Sequence, residues 1–175
     1  MIFANNEVAV CAATKADLYR IENMMQFYNY DFSEWYDIDL SETGLFRLQP
    51  KEAYWSQSSV KPFLIKMNDK LAGFAVIDDE LTHDSSHYNL GYFFILRRYR
   101  GKGISQAAIQ LLLNQFKGNW EIYSLRQNSV AEKFWRKTLT QFLGHVVEST
   151  DMKIHGEDSC LFKFSSIKNG GIPAT

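Results

Sequence analysis

The sequence predicts a single α/β domain, and three observations support this prediction. Residues 92–96 form an aromatic and β-branched run typical of a strand covered on both faces, and residues 104–116 carry apolar side chains at helical spacing. Residues 120–125 alternate as a second strand, which runs parallel to the first because a helix connects them. A chain of 175 residues with 46% hydrophobic content is long and apolar enough for one substantial core.

The N-terminal part of the chain predicts a strand followed by a helix. Residues 7–12 alternate as a strand, and a near capping box that starts at Thr14 begins the helix. The inward stripe of this helix is Leu18, Ile21, Met25 and Tyr28. An aromatic segment, residues 29–36, is predicted to turn, and in the weakly periodic connection beyond it we expect only a short helix at 52–55.

A hairpin is predicted in the middle of the chain. Its strands are residues 63–67 and 71–77, which flank the tight turn Asn68-Asp69, and Gly73 marks a close packing contact. The polar run 78–87 that follows is predicted to be a solvated loop. Its carboxylates and histidines leave a metal site as the alternative, although we predict no bound metal.

The C-terminal part predicts one more helix and two strands. The helix covers residues 129–140 and buries Val130, Phe134 and Leu139. The strands are expected at 145–147 and 160–164. We therefore predict one domain over residues 1–165 and a flexible tail over residues 166–175.

Composition narrows the classes of partner. The net charge of −1 gives no general attraction to nucleic acid, and the sequence contains neither a run of eighteen apolar residues nor a signal-peptide pattern. We therefore expect no nucleic-acid or membrane partner and a cytoplasmic location. Cys11 and Cys160 lie far apart in predicted strands, which favours two small apolar side chains over a disulfide or a zinc site.

A basic turn, residues 97–103, separates the central strand from its helix. Gly101 and Gly103 permit positive φ and a close approach of the backbone to a ligand, and the first N–H groups of a helix have no intrahelical partner. Such a turn suits a pyrophosphate. A dinucleotide fingerprint would need a third glycine where Gln106 stands, and a Walker loop would need four residues between its glycines.

Two motifs in correct order give the chain a resemblance to the GNAT superfamily of N-acetyltransferases. The first is Arg98-x-x-Gly101-x-Gly103. The second is Asn128-x-x-Ala131-x-x-Phe134-Trp135, in which Trp135 replaces the usual tyrosine. The resemblance covers roughly residues 61–164. It implies a mixed, mostly antiparallel sheet with helices on both faces and a splayed parallel strand pair that holds acetyl-CoA.

The resemblance also implies which residues bind acetyl-CoA. The first motif would bind the pyrophosphate, the central strand would pair with the pantetheine arm, and Asn128 would contact that arm. For Asn128 a helix N-cap remains the alternative, and both roles are compatible. The implied cofactor-binding residues are Phe93, Phe94, Ile95, Arg98, Arg100, Gly101, Lys102, Gly103, Ile104, Ser105, Asn128, Phe134 and Trp135.

The amine acceptor would lie against the segment that follows the first helix. The candidate substrate-binding residues there are Tyr28, Tyr30, Asp31, Phe32 and Trp35. For the aromatic residues, packing over the sheet is the alternative. Asp31 would pair with an ammonium group before its deprotonation.

The implied chemistry is direct attack of an amine on the thioester of acetyl-CoA in a ternary complex. Two proton-handling positions depart from the family pattern, because Trp135 stands where a tyrosine acid is usual and Tyr123 where some members place a glutamate base. The catalytic candidates are Tyr123, Tyr88 and Trp135, the last interpreted as an aromatic wall. The alternative function is that of a catalytically silent CoA-binding module. We expect the protein to be a monomer or a homodimer.

Overall fold

The computed structural model describes residues 1–4, 7–47 and 52–167, and within them the chain forms one eight-stranded sheet and four α-helices. The strands are β1 (Ile2–Ala4), β2 (Val8–Ala12), β3 (Lys61–Met67), β4 (Lys70–Asp78), β5 (Tyr88–Ile95), β6 (Asn119–Leu125), β7 (Ser149–Ile154) and β8 (Glu157–Ser165). The helices are α1 (Leu18–Phe32), α2 (Glu52–Trp55), α3 (Ile104–Gln115) and α4 (Ser129–Leu143). None of these helices is both long and apolar enough to cross a membrane.

The sheet has the order β1-β2-β3-β4-β5-β6-β8-β7, and every neighbouring pair is antiparallel except β5 and β6. The mixed, mostly antiparallel sheet is therefore confirmed. One hydrophobic core lies between the sheet and α3 and α4, and includes Leu112, Trp120 and Leu139. A second core lies on the opposite face against α1 and α2, and includes Ile21 and Phe74. Helices thus cover both faces, as the resemblance implies.

The parallel pair β5–β6 separates soon after it begins. Its register joins only Tyr88 with Trp120 and Asn89 with Glu121, although both strands are described in full and continue for several residues. On the other edge of β5, the pairing with β4 shifts at Gly91, which is a β-bulge. A Cβ atom at Gly91 would lie 2.1 Å from a carboxylate oxygen of Asp78, so only glycine fits this bulge. The predicted splay of the parallel pair is confirmed.

The hairpin β3–β4 and the short helix α2 match their predictions. Asn68 and Asp69 both have positive φ (46° and 63°), as a two-residue hairpin turn requires. A Cβ at Gly73 would lie 2.0 Å from the carbonyl oxygen of Phe94, which confirms the close contact predicted there. Cys11 and Cys160 lie in β2 and β8 as free thiols.

Four details of the strands and helices differ from the predictions. Strand β1 was not predicted, and α1 continues to Phe32 instead of turning at residue 29. The first C-terminal strand is β7, because residues 145–147 form an irregular connection before it. Val130 is 75% exposed and not buried, since α4 turns Trp135, Thr138, Leu139 and Phe142 to the core instead.

Ser166, the first residue of the predicted tail, packs against the domain. Ser166 is buried, and its hydroxyl donates to the carbonyl oxygen of Phe116 at 2.9 Å, so this residue belongs to the domain. The rest of the predicted tail from residue 168 onward lies outside the described residues.

Candidate active site

The cofactor loop, residues 97–103, joins the end of β5 to the start of α3. It opens with a 3₁₀ turn, Arg97–Tyr99, and its glycines Gly101 and Gly103 have φ of 73° and 76°. A Cβ at either glycine would meet no atom within 4 Å, so the space above the loop is open to a ligand. Because Gly103 caps the twelve-residue α3, the first helical N–H groups point toward the same space. The loop therefore fits a pyrophosphate.

The arginines of this loop do not all face that space. Both carboxylate oxygens of Asp31 are taken, one by Arg97 at 2.6 Å and the other by Arg100 at 2.5 Å. Arg100 also donates through Nε to the carbonyl oxygen of Ile95 at 2.8 Å and lies 5.5 Å from the ring centroid of Phe94. Its guanidinium is thus held on the face of the sheet that carries α1. The cofactor contact predicted for Arg100 is not supported by this position.

Three predicted cofactor residues bury their side chains in the cores. Ile95 and Ile104 belong to the core under α3, and Phe94 belongs to the core under α1. They can therefore reach a cofactor only through their backbone groups. Arg98, which lies over the ring of Tyr99, and Lys102 are exposed and form no ion pair within the part of the chain that the structure describes. Ser105, at the start of α3, is half-buried.

The second motif lies beside the splay, at the start of α4. The side-chain oxygen of Asn128 accepts from the backbone N–H of Ala131 at 3.0 Å, which confirms the N-cap. Phe134 and Trp135 pack against Phe93 of β5, with ring centroids 6.3 and 5.6 Å apart. Because Trp135 is only 7% exposed, its indole forms part of an aromatic wall on the α4 side of the splay.

The opposite face of the splay carries a cluster of tyrosines. The bulge at Gly91 turns Tyr92 toward α1, where its ring lies 5.7 Å from Tyr28 and 6.2 Å from Tyr54. Tyr123 faces the same side, since its neighbour Ile122 lies in the core under α3. We call Tyr28, Tyr54, Tyr92 and Tyr123 the tyrosine cluster.

The tyrosine cluster remains protonated at physiological pH. Burial raises the pKa of Tyr123 to about 12, and the nearby Asp78 and Glu80 carboxylates add to this rise. Burial likewise raises the pKa of Tyr28 and of Tyr92 well above the ordinary value of a phenol. These side chains can therefore donate hydrogen bonds, but they cannot act as phenolate bases.

Two carboxylates border the tyrosine cluster. Asp78 is buried and accepts hydrogen bonds from the hydroxyl of Tyr54 at 2.5 Å and the amide of Asn89 at 2.8 Å. Burial and the proximity of Asp78 raise the pKa of Glu80. The ring of His155, in the β7–β8 turn, lies 6.3 Å from that of Tyr123. The cluster is thus bordered by two carboxyl groups and an imidazole.

Only some of the residues predicted to bind the acceptor lie near the tyrosine cluster. Tyr28 stacks on Phe32 at 5.3 Å, and Trp35 lies 6.4 Å from Phe32, so these three rings form one aromatic group at the end of α1. Tyr30 is 64% exposed, and Asp31 is occupied by the two arginines, so neither faces the tyrosine cluster. The contact between Asp31 and an ammonium group is therefore not supported.

Tyr88 and Glu121 lie at the closed end of the parallel pair. Tyr88 packs on Phe116 and Trp120, away from the splay, so this position does not support the catalytic role predicted for it. Glu121 is fully buried and accepts hydrogen bonds from Thr82, His83 and Ser86, so the 78–87 loop folds around it. Within the described residues, no group of three His, Cys, Asp or Glu side chains could hold a metal.

Sequence reasoning did not identify Tyr92, Glu80 or His155 as site residues. Strict alternation along β5 does not reveal that Tyr92 faces α1, because the bulge shifts the alternation by one residue. Gly91 within an otherwise continuous strand pattern was the only local signal of this change. Glu80 and His155 come together from segments 75 residues apart, which no local pattern predicts.

A splayed parallel pair with a glycine loop at its open end is the architecture expected of an enzyme that transfers an acetyl group from acetyl-CoA. The sequence matches the acetyltransferase (GNAT) family over residues 21–139. The chain belongs to the GNAT family of acetyltransferases, and it is by this membership an acetyl-CoA-dependent N-acetyltransferase. Among the curated proteins, no significant match is found.

Solved structures share the fold at low identity. A Salmonella typhimurium acetyltransferase that modifies the N-terminal serine of ribosomal protein L7/L12 aligns with a TM-score of 0.65 and 12% identity over 94% of this chain and 99% of that one. Naa50 from Arabidopsis thaliana, in complex with the bisubstrate analogue CoA-Ac-MVNAL, aligns with a TM-score of 0.58 and 18% identity. The alignment covers 91% of this chain and 99% of that one. A mutant of the spermidine N-acetyltransferase SpeG from Vibrio cholerae aligns with a TM-score of 0.58 and 12% identity. The alignment covers 93% of this chain and 95% of that one.

Proposed function

We propose that the protein moves an acetyl group from acetyl-CoA to a primary amine by direct attack in a ternary complex. One observation carries this proposal: the gap between β5 and β6 opens beyond Asn89, with the cofactor loop at its end and the tyrosine cluster on its α1 face. A donor held from the loop and an acceptor held by the cluster can meet in that gap. The acceptors named for similar structures, an N-terminal serine and spermidine, are also amines.

The residues of the loop and of the aromatic wall hold the donor in this proposal. Acetyl-CoA supplies the activated acetyl thioester when bound. Backbone N–H groups from Gly101 to Ser105 bind the pyrophosphate, and Arg98 and Lys102 add positive charge. Phe93, Phe134 and Trp135 exclude water on the α4 side.

The acceptor enters from the α1 face. Glu80 and Asp78 attract a protonated amine, and the rings of Tyr28 and Tyr92 offer apolar and cation–π contacts to it. Of the two positive charges nearest to this acceptor pocket, those of Arg97 and Arg100, Asp31 compensates one. The pocket therefore favours a cation over an anion.

Proton handling follows from the protonation of Tyr123. The amine loses a proton to solvent or to a carboxylate such as Glu80 before its nitrogen forms the new C–N bond. The C–S bond breaks as that bond forms, and the second amine proton finally resides on the thiol of CoA. Tyr123 can donate a hydrogen bond to the departing sulfur but does not transfer its own proton, because its pKa of about 12 exceeds that of a thiol.

We expect Tyr123→Phe to lower kcat by about 10- to 150-fold with a small effect on the KM of acetyl-CoA, because one hydrogen bond to charge is worth roughly 1.5–3 kcal/mol. Steady-state rates with a true acceptor measure this effect. Tyr19→Phe removes the hydroxyl of an exposed tyrosine at the start of α1 and serves as the matched control. A kcat for Tyr123→Phe equal to that of the control would remove Tyr123 from the catalytic group.

For Trp135→Phe we expect a kcat within a few-fold of the parent enzyme, because the aromatic wall survives and no acid is lost. Rates should be compared for Trp135→Phe and Trp135→Tyr. If the first variant falls more than about tenfold and the second recovers the activity, the indole N–H takes part in the chemistry.

Incubation of the protein with acetyl-CoA and a panel of primary amines tests the proposed activity, with thiol release as the readout. The panel should include spermidine and peptides with a free N-terminus. Binding of acetyl-CoA without thiol release on any acceptor would contradict the proposed reaction. The cytoplasmic location and the monomeric or dimeric state stay predictions.

A further inference from the structure

Asp31 stands at an electrostatically unfavourable place in its own helix. It lies one residue before the C-terminal residue of α1, where the helix dipole disfavours negative charge, and the last turn of α1 contains no basic residue. Its compensation comes from Arg97 and Arg100, which are 66 and 69 residues away in the sequence. Burial would raise the pKa of Asp31, but hydrogen bonds from Arg100 and Arg97 outweigh it and lower the pKa.

Both arginines lie in the N-terminal part of the loop, before its two glycines. Arg97 begins the 3₁₀ turn, and Arg100 directly precedes Gly101. Arg100 is held on three sides, by Asp31, by the carbonyl oxygen of Ile95 and by the ring of Phe94. Gly101 and Gly103 have no such packing, since a Cβ there would meet nothing within 4 Å. The anchors of the loop are therefore on the α1 side, and its ligand-facing side is open.

We propose that Asp31 is a positioning residue for acetyl-CoA: through Arg97 and Arg100 it fixes the cofactor loop to α1, the helix that carries Tyr28 and Phe32 of the acceptor pocket. This inference rests on the proposed binding of acetyl-CoA at the loop. Asp31 then acts on the cofactor without contacting it. The same helix links the position of the loop to the wall of the acceptor pocket.

The sign of the effect tests this role. Neutralising a carboxylate near an anionic ligand would by simple electrostatics tighten binding. If Asp31 instead positions the loop, Asp31→Asn should weaken acetyl-CoA binding by about tenfold, as two partly exposed charge-assisted contacts would allow. Calorimetric titration with acetyl-CoA measures this directly. Titration with 3′-phospho-ADP, which has the pyrophosphate but no pantetheine arm, should show a similar loss.

Control variants separate positioning from folding. Glu22→Gln neutralises a half-buried carboxylate earlier in the same helix and should leave the Kd of acetyl-CoA unchanged. In an Arg97→Gln/Arg100→Gln background, Asp31→Asn should add no further loss, because its partners are gone. If Asp31→Asn does not fold, Arg97→Gln at an exposed position should still raise the Kd measurably.

An unchanged or lower Kd in folded Asp31→Asn would overturn the positioning role and leave the proposed function standing. The positioning role would also be overturned if Asp31→Asn weakened acetyl-CoA binding in the Arg97→Gln/Arg100→Gln background as much as it does in the parent protein. Failure of the parent protein to bind acetyl-CoA would overturn both proposals together.

Discussion

Gly103→Asp is expected to weaken acetyl-CoA binding by at least about 100-fold. The substitution places a carboxylate in the open space over the loop, where the pyrophosphate is proposed to lie. Two like charges about 4 Å apart repel by roughly 4 kcal/mol near a protein surface, which is more than this factor requires. Gly101→Asp should act in the same direction, since Gly101 has nearly the same φ and equally open surroundings.

Calorimetric titration with acetyl-CoA measures this loss, and Gly44→Asp is its matched control. Gly44 also has positive φ (75°), and a Cβ there also meets nothing within 4 Å, but it lies in the connection between α1 and α2. The control therefore carries the same backbone strain and the same added charge. An unchanged Kd in folded Gly103→Asp would remove the phosphate role of the loop.

Glu121→Ala is expected to lower the free energy of unfolding by about 3–5 kcal/mol, because it leaves buried donors without an acceptor and opens a cavity. The Glu121 carboxylate accepts from two backbone N–H groups and two hydroxyls of the 78–87 loop, all at 3.0 Å or less. Chemical denaturation measures the loss. Asp158→Asn, in an exposed ion pair with Lys153, should change stability by less than about 1 kcal/mol.

Glu121 also makes stability depend on pH. Burial would raise its pKa, but hydrogen bonds from Ser86 and Thr82 outweigh it and lower the pKa below its ordinary value of 4.5. A carboxyl with a depressed folded pKa stabilises the protein above the unfolded pKa and loses this contribution as pH falls through the folded one. The parent protein should therefore lose more stability below pH 4.5 than Glu121→Gln does. Equal acid sensitivity of the two would contradict this account.

The loop at 78–87 shows what composition predicts and what it leaves out. Its run of acids, serines and histidines predicted a solvated loop, and most of the segment is exposed, but the loop also closes over a buried carboxylate on β6. Hydropathy ranks each residue by its average environment, whereas Glu121 is buried because three residues of one loop satisfy its oxygens. A buried charge of this kind has no signature in its own strand.

The sequence by itself determined the features that depend on neighbouring residues. These are the strand–loop–helix unit around Gly101 and Gly103, the hairpin at Asn68 and Asp69, and the N-cap at Asn128. Each follows from backbone conformation or from side-chain spacing of 2 or about 3.6 residues, which a short window of sequence contains.

Only the tertiary structure decided which partners Asp31 has and which face of the sheet Tyr92 occupies. The sequence predicted that Asp31 binds an ammonium group, whereas in the structure its carboxylate pairs with two arginines of the cofactor loop. Tyr92 faces α1 because a one-residue bulge at Gly91 reverses the alternation of β5. The physical reason is common to both: ion pairs and strand register are set by contacts between distant segments, and a shift of one residue turns a side chain to the other face.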